Sequence, residues 1–112
     1  MPGGREVEAE EFYADALGFE VLPKPEPLAS RGGRWFACGD AQVHLGVEAD
    51  FRPARKAHPA LVIMGLDALV AKLSEAGVDV RWDQELPDAR RCYVDDPFGN
   101  RIELIEGRSM SQ

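Results

Sequence analysis

The feature that most constrains this chain is an internal repeat, in which one pattern of elements occurs twice at an offset of 59 residues. Gly18 and Gly77 each follow the last apolar residue of a helical pattern, and a β-rich segment follows each glycine. At the same offset, residues 43–45 (VHL) correspond to residues 102–104 (IEL). Self-similarity at a fixed period indicates that one supersecondary unit is built twice. We therefore expect two copies of a helix, a strand and a hairpin.

Hydrophobic periodicity places the elements of each copy. In the first copy we predict a helix over residues 6–17 and strands over 19–22, 35–38 and 42–47. In the second copy we predict a strand over 59–64, a helix over 66–76, and strands over 78–82, 91–94 and 101–106. The opening strand of the second copy lacks a counterpart, because the corresponding segment, MPGGR, has neither β propensity nor alternation.

These elements predict an α+β fold of paired βαβββ modules in which the first strand of module 1 is missing or truncated. With 112 residues, the chain has room for a single domain. We expect module 1 over about 6–48, a polar linker over 48–57 and module 2 over about 58–107. Either residues upstream or a partner chain would supply the absent strand, because an open sheet edge favours association.

Charge and composition exclude several classes of function. A formal net charge of −7 argues against a nucleic-acid partner and against an anionic membrane surface. The chain contains no apolar run near the ~20 residues of a membrane span, and its acidic, Gly-rich start is unlike a signal peptide. The two cysteines, Cys38 and Cys92, are expected to be reduced. We therefore expect a cytoplasmic protein.

Three segments carry a resemblance to a known family: FYADALGFE at 12–20, HPALVI at 58–63 and DPFGNRIELIE at 96–106. In this order they resemble the vicinal-oxygen-chelate superfamily, which includes glyoxalase I, extradiol dioxygenases and the fosfomycin- and bleomycin-resistance proteins. The resemblance implies that the modules curl into a cup-like mixed sheet, that residues facing its interior bind a divalent metal, and that the protein is a homodimer. The matching metal positions are His44, His58 and Glu103.

Two imidazoles and a carboxylate suit divalent iron, nickel, zinc or manganese. Strand alternation places His44 on the face opposite Val43 and Leu45, and the repeat gives Glu103 the equivalent place in the last strand. With a metal acting as Lewis acid, Glu103 would be the catalytic residue that transfers a proton. The alternative is that Glu103 pairs with an arginine, Arg91 or Arg34, and that hydrogen bonds satisfy the histidines.

Trp35, Arg91 and Tyr93 are the candidates for binding a small-molecule substrate, although core packing explains the aromatic residues equally well. These candidate residues are compatible with two alternative functions. The first is a metal-dependent lyase, isomerase or dioxygenase that acts on a small oxygenated substrate. The second is a metal-free small-molecule-binding protein of the bleomycin-resistance type. The identity of the substrate is not encoded in these patterns.

Overall fold

The computed structural model describes residues 1–85 and 90–107. The chain divides into two compact units. The first contains Met1–Pro53 with Pro97–Gly99, and the second contains Ala54–Asp96 with the residues from Asn100 onward. The main division, after Pro53, falls inside the segment predicted as a linker. None of the described helices is long and apolar enough to span a bilayer.

The first unit contains one helical segment and one antiparallel sheet. Helix α1 covers Glu6–Glu10 and continues as a π-helix over Glu11–Ala16. The strands are β1 (Glu20–Leu22), β2 (Arg34–Cys38) and β3 (Ala41–Leu45), in the order β1-β2-β3, and a 3₁₀ turn at Leu28–Arg31 precedes β2. The predicted helix and strands of module 1 are confirmed, with ends that shift by one or two residues.

The π-helical half of that helix differs from the regular helix predicted over residues 6–17. The N–H of Leu17 donates to the carbonyl of Phe12, five residues earlier, at 2.9 Å. Such a wide turn changes the angle between successive side chains. Phe12 and Tyr13 are neighbours in sequence and are both buried, so aromatic burial here takes precedence over α-helical spacing.

The sheet of the first unit has one packed face and one open face. Strand register aligns Val21, Phe36 and Val43 in a row, and Phe36 is fully buried against Tyr13 of the helix at a ring separation of 5.1 Å. Side chains alternate along a strand. The neighbouring row, Leu22–Trp35–His44, therefore lies on the face turned away from the helix.

The second unit is a complete βαβββ module. It contains β4 (Ala60–Ile63), α2 (Leu66–Glu75), β5 (Arg81–Asp83), β6 (Arg91–Asp95) and β7 (Arg101–Glu106). The sheet order is β4-β7-β6-β5, with β4 and β7 parallel and the other pairs antiparallel. The prediction of a second module with its own opening strand is confirmed.

One strand prediction in this unit is wrong at its start, because β5 begins at Arg81 and not at residue 78. The N–H of Val78 donates to the carbonyl of Leu73 at 2.9 Å, so this residue closes the last turn of α2. The chain enters the sheet only after the helix has been capped. The sequence also predicts a loop over residues 85–88, of which only Glu85 is described, and fraying of the last few residues, which lie outside the described part of the chain.

The second sheet also has one face against its helix. Leu104 and Cys92 are paired, fully buried and on the same face as Glu106, whose carboxylate accepts the N–H of Leu66 at the start of α2. The residues that alternate with these along the strands, including Glu103 and Tyr93, lie on the face away from α2. The packed face forms the core of the unit, and the opposite face is available for polar side chains.

The repeat is visible in the backbone as well as in the sequence. Gly18 and Gly77 both adopt left-handed conformations just past their helices, with φ of +79° and +82°. Where the second unit has β4 beside β7, the described part of the first unit has only Met1. Its amino group donates to Gly46 O at 2.7 Å and its carbonyl accepts the N–H of Glu48 at 3.0 Å.

Candidate functional site

The predicted site residues of each unit lie on the face of the sheet that is turned away from the helix. His44 is paired with Trp35 across β2 and β3, and Glu103 is paired with Tyr93 across β6 and β7. The two residues therefore occupy equivalent places in the two modules. Their surroundings differ, because His44 is exposed whereas Glu103 is buried with 6% of its surface accessible.

Glu103 is the centre of an ionic network in the second unit. Its Oε1 lies 3.0 Å from His58 Nε2, and its Oε2 accepts a hydrogen bond from Arg91 Nη1 at 3.0 Å. Arg91 Nη2 donates in turn to Asp83 Oδ2 at 2.7 Å. A buried carboxylate is tolerated only when donors or cations compensate for lost hydration. Both oxygens of Glu103 meet that requirement.

The electrostatics keep Glu103 ionised. Burial raises the pKa of this carboxyl, but the hydrogen bonds from Arg91 and His58, together with the electrostatic attraction of these two side chains, hold the pKa below its ordinary value of 4.5. The hydrogen bond to Glu103 raises the pKa of Arg91 despite burial. Glu103 and Arg91 are therefore a stable pair of opposite charges over the whole physiological range.

Both ring nitrogens of His58 lie within hydrogen-bonding distance of protein groups. Its Nδ1 lies 2.9 Å from the carbonyl oxygen of Lys56, and its Nε2 faces the Glu103 carboxylate. A carbonyl and a carboxylate are both acceptors, so both ring nitrogens must donate if the two bonds form together. The edge of the imidazole also meets Tyr93 at a ring separation of 5.4 Å. In this arrangement the His58 ring is held between Lys56, Tyr93 and Glu103, and its Nε2 is directed at the Glu103 carboxylate.

These contacts do not fit a divalent metal. The Arg91 guanidinium, whose Nη1 lies 3.0 Å from Glu103 Oε2, would repel a divalent cation at the same carboxylate. Within residues 1–85 and 90–107, no group of three or more His, Cys, Asp or Glu side chains is arranged to hold a metal ion. The arrangement corresponds to the alternative in which Glu103 pairs with Arg91. The other arginine considered as a partner, Arg34, lies elsewhere, with its Nε 3.7 Å from Glu10 Oε2. The ligand set His44, His58 and Glu103 stays a prediction.

The open face of the first unit carries a different feature. The rings of Trp35 and His44 are stacked at a centroid separation of 3.9 Å and are within 4° of parallel. The Nε2 of His44 lies 2.8 Å from Gln42 Oε1. Beside the stacked pair is a cleft of about 230 Å³, whose lining also includes Lys24 and Arg31. Trp35 therefore lies where a small-molecule ligand could contact it.

The two other candidates for ligand binding lie in the second unit. Arg91 is committed to its two carboxylate partners, although its Nε is buried without a hydrogen-bond partner among the described residues. Tyr93 packs against His58, and the Arg101 guanidinium carbon lies 5.7 Å from the Tyr93 ring centroid.

Sequence reasoning missed Lys24 and Arg31, which line the cleft of the first unit. Their only signal is that basic residues follow β1 and precede β2.

The chain resembles known proteins both in sequence and in fold. The glyoxalase-like domain family matches residues 6–105. A glyoxalase family protein from Bacillus anthracis has a crystal structure that aligns with a TM-score of 0.92 at 47% identity, over 96% of this chain and 88% of that one. None of the curated protein sequences matches this chain significantly.

More distant structures include proteins of two different functions. An antibiotic binding protein from Streptomyces sp. CB03234 aligns with a TM-score of 0.71 at 27% identity, over 96% of this chain and 91% of that chain. Lactoylglutathione lyase from Agrobacterium tumefaciens aligns with a TM-score of 0.66 at 20% identity, over 96% and 89% of the two chains. At that identity, the likeness to the lyase concerns the fold alone.

Proposed function

The chain belongs to the glyoxalase-like domain family, and on that premise we propose that it is a small-molecule-binding protein that works without a divalent metal. The observation that carries this proposal is the Arg91 guanidinium, which lies 3.0 Å from the carboxylate predicted to ligate a metal. Arg91 bridges Glu103 and Asp83, so a positive charge of the protein already lies between these two carboxylates. A divalent cation at Glu103 would have to approach against the repulsion of that guanidinium.

The cleft in the first unit supports the binding role. Its volume of about 230 Å³ is somewhat below the roughly 300–1,000 Å³ of drug-sized sites, so it suits a ligand of one or two rings. The stacked rings of Trp35 and His44 offer a flat aromatic surface beside it. The 27% identical structure from Streptomyces is named an antibiotic binding protein, which is a binding role within the same fold.

The metal independence is tested on protein purified without a metal-binding tag. We expect the metal content to be well below one equivalent, and the melting temperature to be unchanged when Ni²⁺, Fe²⁺, Zn²⁺ or Mn²⁺ is added to EDTA-treated protein. The physical reason is that a ligand stabilises a protein only by binding its folded state more tightly than its unfolded state. One equivalent of metal together with a raised melting temperature would contradict the proposal.

A second candidate function is a metal-dependent enzyme of the glyoxalase or dioxygenase type, with Glu103 as the proton-transferring residue. One observation favours it: His58 Nε2 and Glu103 Oε1, two of the three predicted ligand groups, lie only 3.0 Å apart. The same measurement separates the two functions. If metal binds, the variant Glu103→Gln should lose both the metal and the thermal stabilisation, whereas Glu48→Gln, which changes an exposed glutamate, should keep both.

A further inference from the structure

The lining of the cleft in the first unit has a charge opposite to that of the chain as a whole. The chain carries a formal net charge of −7, yet the lining contains Lys24 and Arg31 and, among the described residues that form it, no carboxylate. A cleft lined by charges of one sign concentrates their field and attracts ligands of the opposite sign. The local charge therefore favours an anion.

Both cations can reach a ligand. Arg31 is exposed and forms no salt bridge with any residue that the structure describes. Lys24 Nζ donates to the carbonyl of Gly32, which uses one of the three donors of its ammonium group. Two N–H donors of Lys24 and the whole guanidinium of Arg31 therefore stay available.

One carboxylate, that of Glu6, lies just behind the wall of the cleft, since a methyl group on the lining residue Gly32 would lie 3.0 Å from Glu6 Oε2. Glu6 Oε2 accepts the N–H of Gly33 at 2.9 Å. This hydrogen bond is the main cause that lowers the pKa of Glu6, and the nearby charge of Arg34 lowers it further. Glu6 therefore carries a negative charge beside the cleft, and the two cations of the lining, Lys24 and Arg31, exceed it by one charge.

The stacked pair supplies the second element of recognition. Trp35 and His44 come from neighbouring strands and lie in one cross-strand row on the open face of the sheet. A flat ring can add to such a pair by stacking, which gains dispersion energy and removes apolar surface from water. Lys24 Nζ lies 6.0 Å from the centre of the Trp35 ring, so a cation stands beside the aromatic surface.

We infer that this cleft selects planar aromatic anions, such as aryl carboxylates, with the ring against the Trp35–His44 pair and the anionic group at Lys24 and Arg31. The inference rests on the proposed small-molecule binding and adds the class of ligand. It requires neither a metal nor a covalent step. It predicts selection by ligand charge at constant ligand shape.

The test is calorimetric titration of EDTA-treated protein with three probes of similar shape: 1-naphthoate, neutral 1-naphthamide and protonated 1-naphthylmethylamine. We expect 1-naphthoate to bind most tightly and the amide to bind about tenfold more weakly, because hydrogen bonds to charged groups are stronger than those between neutral groups. The amine should bind most weakly of the three. Equal affinity for the carboxylate and the amide, or tightest binding of the amine, would overturn the inference and leave small-molecule binding intact.

A matched pair of variants locates the effect. Arg31→Met removes a cation from the cleft, whereas Arg52→Met removes an exposed cation of the same unit that does not line the cleft. We expect Arg31→Met to weaken 1-naphthoate about tenfold without changing the amide, and Arg52→Met to change 1-naphthoate less than about twofold. Equal losses in the two variants would overturn the inference in favour of a general charge effect. Binding of none of the three probes to the wild-type protein would refute the proposed function as well.

Discussion

At the scale of single residues, Arg91 determines what Glu103 can do. A glutamate on the inner strands of a sheet needs compensation for its lost hydration, and either a metal or an arginine can provide it. Here the guanidinium bridges Glu103 and Asp83, with N–O distances of 3.0 and 2.7 Å, and His58 donates to the remaining oxygen of Glu103. Each oxygen of Glu103 thereby has a partner within the protein.

Glu6 gives a pH-dependent test at the same scale. Its pKa is lowered in the folded protein, mainly by the hydrogen bond from the N–H of Gly33. A depressed carboxyl pKa contributes stability that is fully present above the unfolded-state value, near 4.5, and is lost as the pH falls through the folded-state value. We expect Glu6→Gln to reduce the loss of thermal stability on acidification below about pH 5, because glutamine accepts a hydrogen bond without titrating.

The measurement for Glu6 is the melting temperature as a function of pH from neutral to acidic conditions. The control is Glu11→Gln, which removes the same charge from an exposed position of the same helical segment. The control should leave the acid-side slope close to that of the wild type. Parallel curves for the wild type and Glu6→Gln would show that the Gly33 contact contributes nothing.

At the scale of elements, one glycine sets the entry of the chain into β2. Gly33 is left-handed, with φ of +86°, and a methyl group at its Cα would lie 2.1 Å from the carbonyl oxygen of Leu45. That atom belongs to the backbone of the neighbouring strand, which cannot move without breaking the sheet. Both the conformation and the close approach therefore require glycine.

We expect Gly33→Ala to cost more free energy of unfolding than Gly39→Ala. Gly39 is also left-handed, with φ of +58°, but a methyl group there would meet no atom within 4 Å. Gly39→Ala should cost about 1–2 kcal/mol from backbone conformation alone. Gly33→Ala should add about 1–3 kcal/mol for the steric overlap. Urea unfolding of the two variants measures the difference, and equal costs would contradict the close approach to Leu45.

Element types followed from periodicity more reliably than element boundaries. The apolar spacing of Leu66, Leu69 and Leu73 predicted α2 correctly, because a single face of that helix is buried. The π-helical turn could not be predicted, since it accompanies the burial of two adjacent aromatic residues, Phe12 and Tyr13, the second of which stacks on Phe36 of the sheet. The late start of β5 depends on a backbone hydrogen bond of Val78, which side-chain patterns do not report.

At the scale of the whole molecule, the repeat was the most informative signal. It predicted two modules, and it placed His44 and Glu103 on equivalent faces by alternation alone. The sequence offered Arg91 or Arg34 as a partner of Glu103 but could not choose between them, because that choice depends on the register of β6 against β7 and on side-chain rotamers. The cations of the cleft were missed for a related reason, because Lys24 and Arg31 line the same cleft only once the loop before β2 has folded. The homodimer stays a prediction.

The central claim is that a small molecule binds in the cleft of the first unit without a metal. The two tryptophans report on it separately, because Trp35 lines the cleft and Trp82 lies in β5 of the second unit. The most direct measurement follows the two indole N–H resonances of ¹⁵N-labelled, EDTA-treated protein while 1-naphthoate or 1-naphthamide is added. We expect the Trp35 resonance to shift in a saturable manner and the Trp82 resonance to stay in place. A response at Trp82 alone, or a response at Trp35 that appears only after a divalent metal is added, would contradict the central claim.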